Sequence, residues 1–120
     1  MIEIELSWPS RHLNPNARVH WRRLADEKQN ARYAASWHCA HAGSSKWVDP
    51  GGKLEFALDF YPPDRRKRDD DGLIASMKAA RDGIADRLGI DDNRFQTRSR
   101  IMDEVVKGGK VVVRIRALES

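Results

Sequence analysis

An α+β fold is predicted: a single small domain in which strand, helix, strand, helix and a terminal hairpin form a mixed sheet packed by two helices. Three observations predict it. Two segments alternate apolar and polar residues with the period of a half-buried strand. Two segments that follow them have helical composition or helical spacing, and a Gly-Gly turn divides an apolar tail. The 120 residues suffice for one core and not two. No repeat or linker interrupts them, so the domain is expected to span residues 1–120.

Each element follows from its residues. Ile2, Ile4, Leu6 and Trp8 fall on one side and Glu3, Glu5 and Ser7 on the other, a strand that Pro9-Ser10 ends. Residues 10–20, with Asn14, Pro15 and Asn16, read as a long loop. Residues 21–42 contain no Gly or Pro and are rich in helix formers in their first half, and Gly43-Ser44-Ser45 stops them. After the turn cluster Asp49-Pro50-Gly51-Gly52 comes the clearest strand. Leu54, Phe56, Leu58 and Phe60 point one way, while Glu55, Ala57 and Asp59 point the other. Pro62-Pro63 closes it, because neither proline can donate to a ladder.

A second helix is expected over residues 72–88. Leu73, Met77, Ala80, Ile84 and Leu88 form its core-facing stripe, and Gly89 suits the position just past its end. The tail reads as a hairpin, with arms at 95–106 and 111–118 around Lys107-Gly108-Gly109-Lys110.

Composition narrows the classes. With 33% charged and 40% hydrophobic residues the chain suits a soluble globule. No apolar run approaches the roughly 20 residues of a membrane span, and the start lacks the basic and apolar regions of a signal peptide. Cys39 is the sole cysteine, which excludes an internal disulfide and a CxxC zinc site. A cytoplasmic protein with no membrane partner is expected. The net charge of +4, from 22 Lys+Arg against 18 Asp+Glu, says little by its size. Its placement says more. Arg65, Arg66, Lys67 and Arg68 are followed at once by Asp69, Asp70 and Asp71, and seven aspartates fall within residues 69–92.

The simplest reading of these acids is a solvated loop favouring the positive end of the next helix. One cap needs one side chain, however, and three adjacent carboxylates repel. If residues 69–71 are extended, Asp69 and Asp71 share a side. If a helix began at 69 they would stand about 200° apart, so a shared ion requires the helix to begin no earlier than about Asp71. Lys78 and Asp82 then each lie within roughly 20° of Asp71 on one helix face. Lys78 and Asp82 also read as a plain surface ion pair. Asp91-Asp92 is either a polar turn or a second acid pair returned toward the first. Carboxylates with no His or Cys among them suit Mg²⁺ or Mn²⁺. The adjoining cations would hold a phosphodiester backbone that the acids alone would repel. Metal-assisted phosphodiester hydrolysis is the implied chemistry.

The stretch 63–92 resembles the RusA family of Holliday junction resolvases, in its phage-type form. The matching residues are the basic run Arg65 to Arg68, Asp69-Asp70-Asp71-Gly72-Leu73, Lys78 with Asp82, and Asp91-Asp92. Trp8-Pro9-Ser10, Asn14-Pro15-Asn16 and His20 resemble the family's other recurring stretch, and the order of elements agrees over most of the chain. The resemblance implies a homodimeric, Mg²⁺-dependent endodeoxyribonuclease that resolves four-way branched DNA by paired nicks, in recombination and repair. By the same resemblance Asp69, Asp71 and Asp92 hold the metal, with Asp91 as substitute for Asp92, and Lys78 serves as the essential lysine. The resemblance likewise implies that Arg65, Arg66, Lys67, Arg68, Asn16 and His20 contact DNA. Two departures stand out. Gly72 replaces the family's usual Asn, and Lys78 lies seven residues past Asp71 where the family's RusA has four, Ala75 standing in that place. Both departures keep open a catalytically degenerate module of a mobile element that grips branched DNA without cutting it. A small protein-interaction domain is the third reading.

Other constellations are weaker. His38 and His41, flanking Cys39, could grip a metal but have no evident third ligand and read as a polar helix face. Trp21, Trp37 and Trp47 could stack on bases or pack as ordinary tryptophans. Arg11, Arg18, Arg22, Arg23, Lys28 and Arg32 suit either a phosphate-tracking surface or a solvated helix.

Overall fold

Seven elements carry the fold: β1 (Ile2–Ser7), α1 (Trp21–His41), β2 (Leu54–Tyr61), α2 (Asp70–Ser76), α3 (Lys78–Leu88), β3 (Phe95–Ile101) and β4 (Lys110–Ala117). The structure is a computed structural model and describes residues 1–118. Glu119 and Ser120, the end of the expected domain, lie outside the described residues. The architecture is α+β, a single four-stranded mixed sheet in the order β1-β4-β2-β3 with helices against one face. β2 runs antiparallel to β4 and parallel to β3, and β1 closes the other edge antiparallel to β4.

The alternation in β1 and β2 sets the register. Ile4 of β1 lies beside Val113, and Phe56 of β2 beside Ile115 on β4's other flank. All four side chains are buried, together with Phe60, Leu54 and Leu58. Cys39 of α1 and Ile84 of α3 meet them from the helical layer. Burial pushes the Cys39 thiol up to about 11, so it packs as a small neutral hydrophobe. α1 and α3 approach unusually closely at Gly83, where an added Cβ would stand 2.0 Å from the Arg32 carbonyl oxygen. Two contacts pin this crossing. The Arg32 guanidinium donates to both carboxylate oxygens of Asp86 at 2.6 and 2.9 Å, and Arg87 donates to Ser36.

Two expectations need correction. The tail is not a hairpin, because β2 lies between β3 and β4. Residues 102–109 cross the end of β2 instead. There the Met102 N–H donates to the Phe60 carbonyl and the Val106 N–H to the Pro62 carbonyl. β2 is apolar on one face and ion-paired on the other, so a central place satisfies it, and β3 takes the parallel edge through a β-α-β crossover. Nor is residues 72–88 a single helix, since it breaks at Met77. Ser76 Oγ donates to the Gly72 carbonyl at 2.8 Å, and the Met77 N–H bonds three residues back to Ile74. A hydroxyl competing for the i−4 carbonyl is a common cause of such a bend.

The face of the sheet away from the helices holds a lattice of ion pairs. Glu55 and Asp59, expected to point to a polar side, do so yet are 5% and 4% exposed. Arg98 and Arg116 flank Glu55, and Arg100 and Arg114 flank Asp59, each pair reaching in from the two neighbouring strands. Arg100 Nε donates to Asp59 Oδ1 at 2.7 Å. The guanidiniums keep this face wet while their stems cover the sheet, so no second helical layer is needed.

Candidate functional site

The Asp-rich segment lies where β2 hands over to α2. Pro62 and Pro63 end the strand, and residues 64–69 form an irregular link, bent at its start, into the helix. α2 begins at Asp70, one residue ahead of the boundary that a shared ion was expected to require. Asp69 is its cap, in extended conformation, and its Oδ1 accepts the Asp71 N–H at 3.2 Å. Asp70 and Asp71 occupy the first turn, exposed, where the helix dipole favours negative charge.

The basic run divides into two kinds of residue. Arg66 and Arg68 fold back on Asp64, and their hydrogen bonds, with the Arg66 backbone N–H, hold its carboxyl well below the usual carboxylate range. Arg68 also donates to the Asp64 and Arg66 carbonyls and lies over the Trp8 ring, 5.3 Å from its centroid. It therefore acts as a buckle that shapes the loop. Arg65 and Lys67 are exposed and form no salt bridge among the described residues.

The long loop of residues 10–20 closes over this junction. Asn14 comes closest: an added Cβ at Gly72 would stand 2.8 Å from its Nδ2 and 3.3 Å from Asp69 Oδ2. The glycine thus makes room for an amide delivered from a distant loop. Asn14 Oδ1 in turn accepts the Asn16 N–H, so Asn16 shapes the loop. His20 caps α1 by accepting the Arg22 N–H at 3.2 Å, and its ring stacks on Trp21. A cleft of about 370 Å³ results, bordered by Trp8, Arg11, Asn14, Arg68 and Asp69.

Asp91 and Asp92 follow α3 at the opposite end of that helix. Asp91 caps a short 3₁₀ turn by accepting the Asn93 N–H at 2.9 Å, and Asp92 is the turn's first residue. Lys78 opens α3 and pairs with Asp82 at 3.7 Å, the surface pair that its spacing allows. Because the helix breaks at Met77, Asp71 no longer shares one continuous helix face with Lys78 and Asp82. Among the described residues, no group of three or more His, Cys, Asp or Glu side chains stands close enough to hold an ion. That includes Asp69, Asp71 and Asp92, and likewise His38 and His41. His41 instead lies against Trp37, with its Nδ1 3.0 Å from the Trp37 carbonyl oxygen. Of the remaining tryptophans, Trp21 is exposed and Trp47 packs on the core.

No family model matches the chain. It is 45% identical over 119 residues to an "Uncharacterized protein" of Xylella fastidiosa strain Temecula1, a match covering 98% of this chain and 78% of the relative. The chain belongs to that protein's family. The matched residues take in the elements from β1 through β4 of this chain.

Two residues important to this region escape a reading of the sequence. Arg81 donates to the carbonyls of Asp92 at 2.7 Å and Phe95 at 3.3 Å, tying α3 to the turn that bears the second acid pair. Its Nε is buried without a hydrogen-bond partner. Its placement next to Ala80 on a helix gives no hint of either. His12 lies 3.2 Å from Glu27 through Nδ1, with Ser10 Oγ 3.4 Å from the same nitrogen. Both neighbours use one ring nitrogen, so this is not the relay of a serine hydrolase, which needs them on opposite nitrogens. Among the described residues, no helix is long and apolar enough to cross a membrane.

Proposed function

We propose that this chain is a RusA-like, metal-dependent endonuclease that nicks four-way branched DNA, working as a cytoplasmic homodimer in recombination and repair. One observation carries the reading: the acids and the cations meet at one connection, where Asp69 and Arg68 border a common cleft beneath Asn14. The donor chemistry suits a hard divalent cation such as Mg²⁺ or Mn²⁺, since Asp69, Asp71 and Asp92 offer carboxylate oxygens with no His or Cys among them. By the family resemblance these three would hold the ion, with Asp91 as substitute for Asp92, although Asp91 and Asp92 follow the far end of α3. Bound there, the ion would lower the pKa of a water and offset charge on the scissile phosphate. Arg65 and Lys67, exposed on the connection that leads to Asp69, would hold the backbone without reading sequence, and Lys78 would offset charge at the leaving oxygen. A two-fold dimer matches a two-fold junction, giving each protomer one strand to cut.

A second reading has its own observation. The carboxylates do not converge as a group of three among the described residues, which favours a module that grips branched DNA without hydrolysis. Incubation with a synthetic four-way junction separates the two. The endonuclease gives paired nicks in Mg²⁺, none in EDTA and none for Asp71→Asn, with binding retained. Binding without cleavage in either Mg²⁺ or Mn²⁺ selects the module. Absence of binding at low salt removes both.

A further inference from the structure

The closest contact between α1 and α3 is at Gly83 and Arg32, and toward the start of each helix the space between them is left unfilled. A cleft of about 690 Å³ opens there, closed on its third side by the loop that carries Asn14. That volume lies within the range of small-ligand sites, roughly 300–1,000 Å³. Its walls are apolar and small: Leu13 and Pro15 from the loop, Leu24 from α1, and Ala75 and Ala79 from either side of the helix break. Its polar groups are mixed. Gln29 supplies an amide that can both donate and accept, Lys28 and Lys78 supply cations, Asp82 supplies a carboxylate beside Lys78, and Arg32 is already held by Asp86. Asn14 and Ser76 line both this cleft and the one bordered by Asp69, so the two adjoin.

We infer that this cleft receives one unstacked nucleotide, its base against the apolar walls and its phosphate toward Lys28 and Lys78. The composition favours that occupant over a bare anion or an aliphatic chain. A nucleobase needs apolar surface for its faces and a hydrogen-bonding group at its edge. A bare phosphate would leave the apolar walls unsatisfied, and an aliphatic chain would leave the lysines unpaired. Lys78 is engaged only loosely by Asp82, at 3.7 Å, and its side chain is 71% exposed, so it is available to a phosphate. The assignment deepens the endonuclease reading and rests on it for its biological meaning. A strand held at Asp69 could turn one base into the neighbouring cleft, and Gln29 would then set a preference for the nucleotide beside the cut.

The test needs no cleavage. Isotope-labelled protein is titrated with each of the four deoxynucleoside monophosphates and with inorganic phosphate, followed by amide chemical shifts. Nucleotides are expected to move the Gln29, Ala75 and Ala79 signals, with a spread of roughly tenfold in Kd across the four bases, about one hydrogen bond's worth. Gln29→Ala, a change at an exposed position, is expected to flatten the spread. Ala79→Leu, which fills the cleft, is expected to abolish the response. Equal shifts from inorganic phosphate, shifts only elsewhere, or an unaltered spread in both variants would overturn the assignment. A chain that binds nucleotides here but never nicks a junction refutes the endonuclease and leaves this site standing. A chain that nicks junctions without this response does the reverse.

Discussion

Gly83→Ala is expected to destabilise the fold by about 2 kcal/mol or more, lowering Tm by roughly 8–10 °C. In an exposed helix the same change would help by up to about 1 kcal/mol, because glycine is the poorer helix former. Here the new methyl would meet the Arg32 carbonyl oxygen at 2.0 Å and its carbonyl carbon at 2.9 Å. Both are backbone atoms of a neighbouring helix, so no side chain can swing aside. α1 and α3 must separate, loosening Ala35, Cys39, Ala80 and Ile84 together. Asp86→Ala removes the ion pair at the same crossing and provides the comparison. Asp86 and Arg32 are each 52% exposed, and such a pair is worth no more than about 1 kcal/mol. Thermal unfolding of both variants decides the point, and a Gly83→Ala protein as stable as wild type would refute the close crossing.

Asp59→Asn should rank next, at about 2 kcal/mol, from weakening charge-assisted hydrogen bonds to a carboxylate that is 4% exposed. The figure stays below that of a fully buried pair because the Arg100 side chain is 67% exposed and water screens it. The pH dependence carries the sharper signature. Hydrogen bonds from Arg100, and then from Arg114, hold the folded Asp59 carboxyl below its ordinary value, against the opposing effect of burial. Its stabilisation is therefore fully present above the unfolded pKa of about 4 and is lost as pH falls through the folded value. Urea titrations at several pH values should show a constant gap between wild type and variant near neutrality. That gap should close below about pH 4. A gap that persists unchanged in acid would exclude the carboxylate as its source.

Local patterns were legible wherever the cause was local. The alternation from Ile2 to Ser7 and the interval from Trp21 to the glycine at 43 gave β1 and α1 to within a residue, because burial period and breaker residues act at short range. The break at Met77 was not legible. It depends on one hydroxyl, that of Ser76, choosing a backbone carbonyl over water, while the apolar stripe runs on through the bend. The terminal hairpin was misread for the opposite reason. Gly108-Gly109 does reverse the chain, but which strand fills the gap is settled by pairing with a segment some fifty residues earlier in the sequence. At the candidate site, adjacency put Asp69, Asp70 and Asp71 with the cations at one connection, but Asp91 and Asp92 lie past the far end of α3. The amide of Asn14 over Gly72 and the grip of Arg81 on Asp92 are contacts across the fold, and neither leaves a trace in spacing.

The strand order also bears on how the chain folds as it is made. β1 is synthesised first, yet its hydrogen-bonded neighbour is β4, the last strand: Ile2 lies opposite Ile115 and Glu3 opposite Arg114. β2 likewise pairs antiparallel with β4, so two of the three ladders await the final strand. A nascent chain that stops short of residue 110 holds only the β2–β3 ladder and the α1–α3 crossing, with the apolar edge of β1 unpaired. High contact order of this kind slows folding and prolongs the life of an open strand edge. The outward row of Glu3 and Glu5, which later pairs with Arg114 and Lys110, gives that waiting strand a charged face in the meantime. Glu3 and Glu5 thus guard the first strand until its partner arrives, and then pair with it.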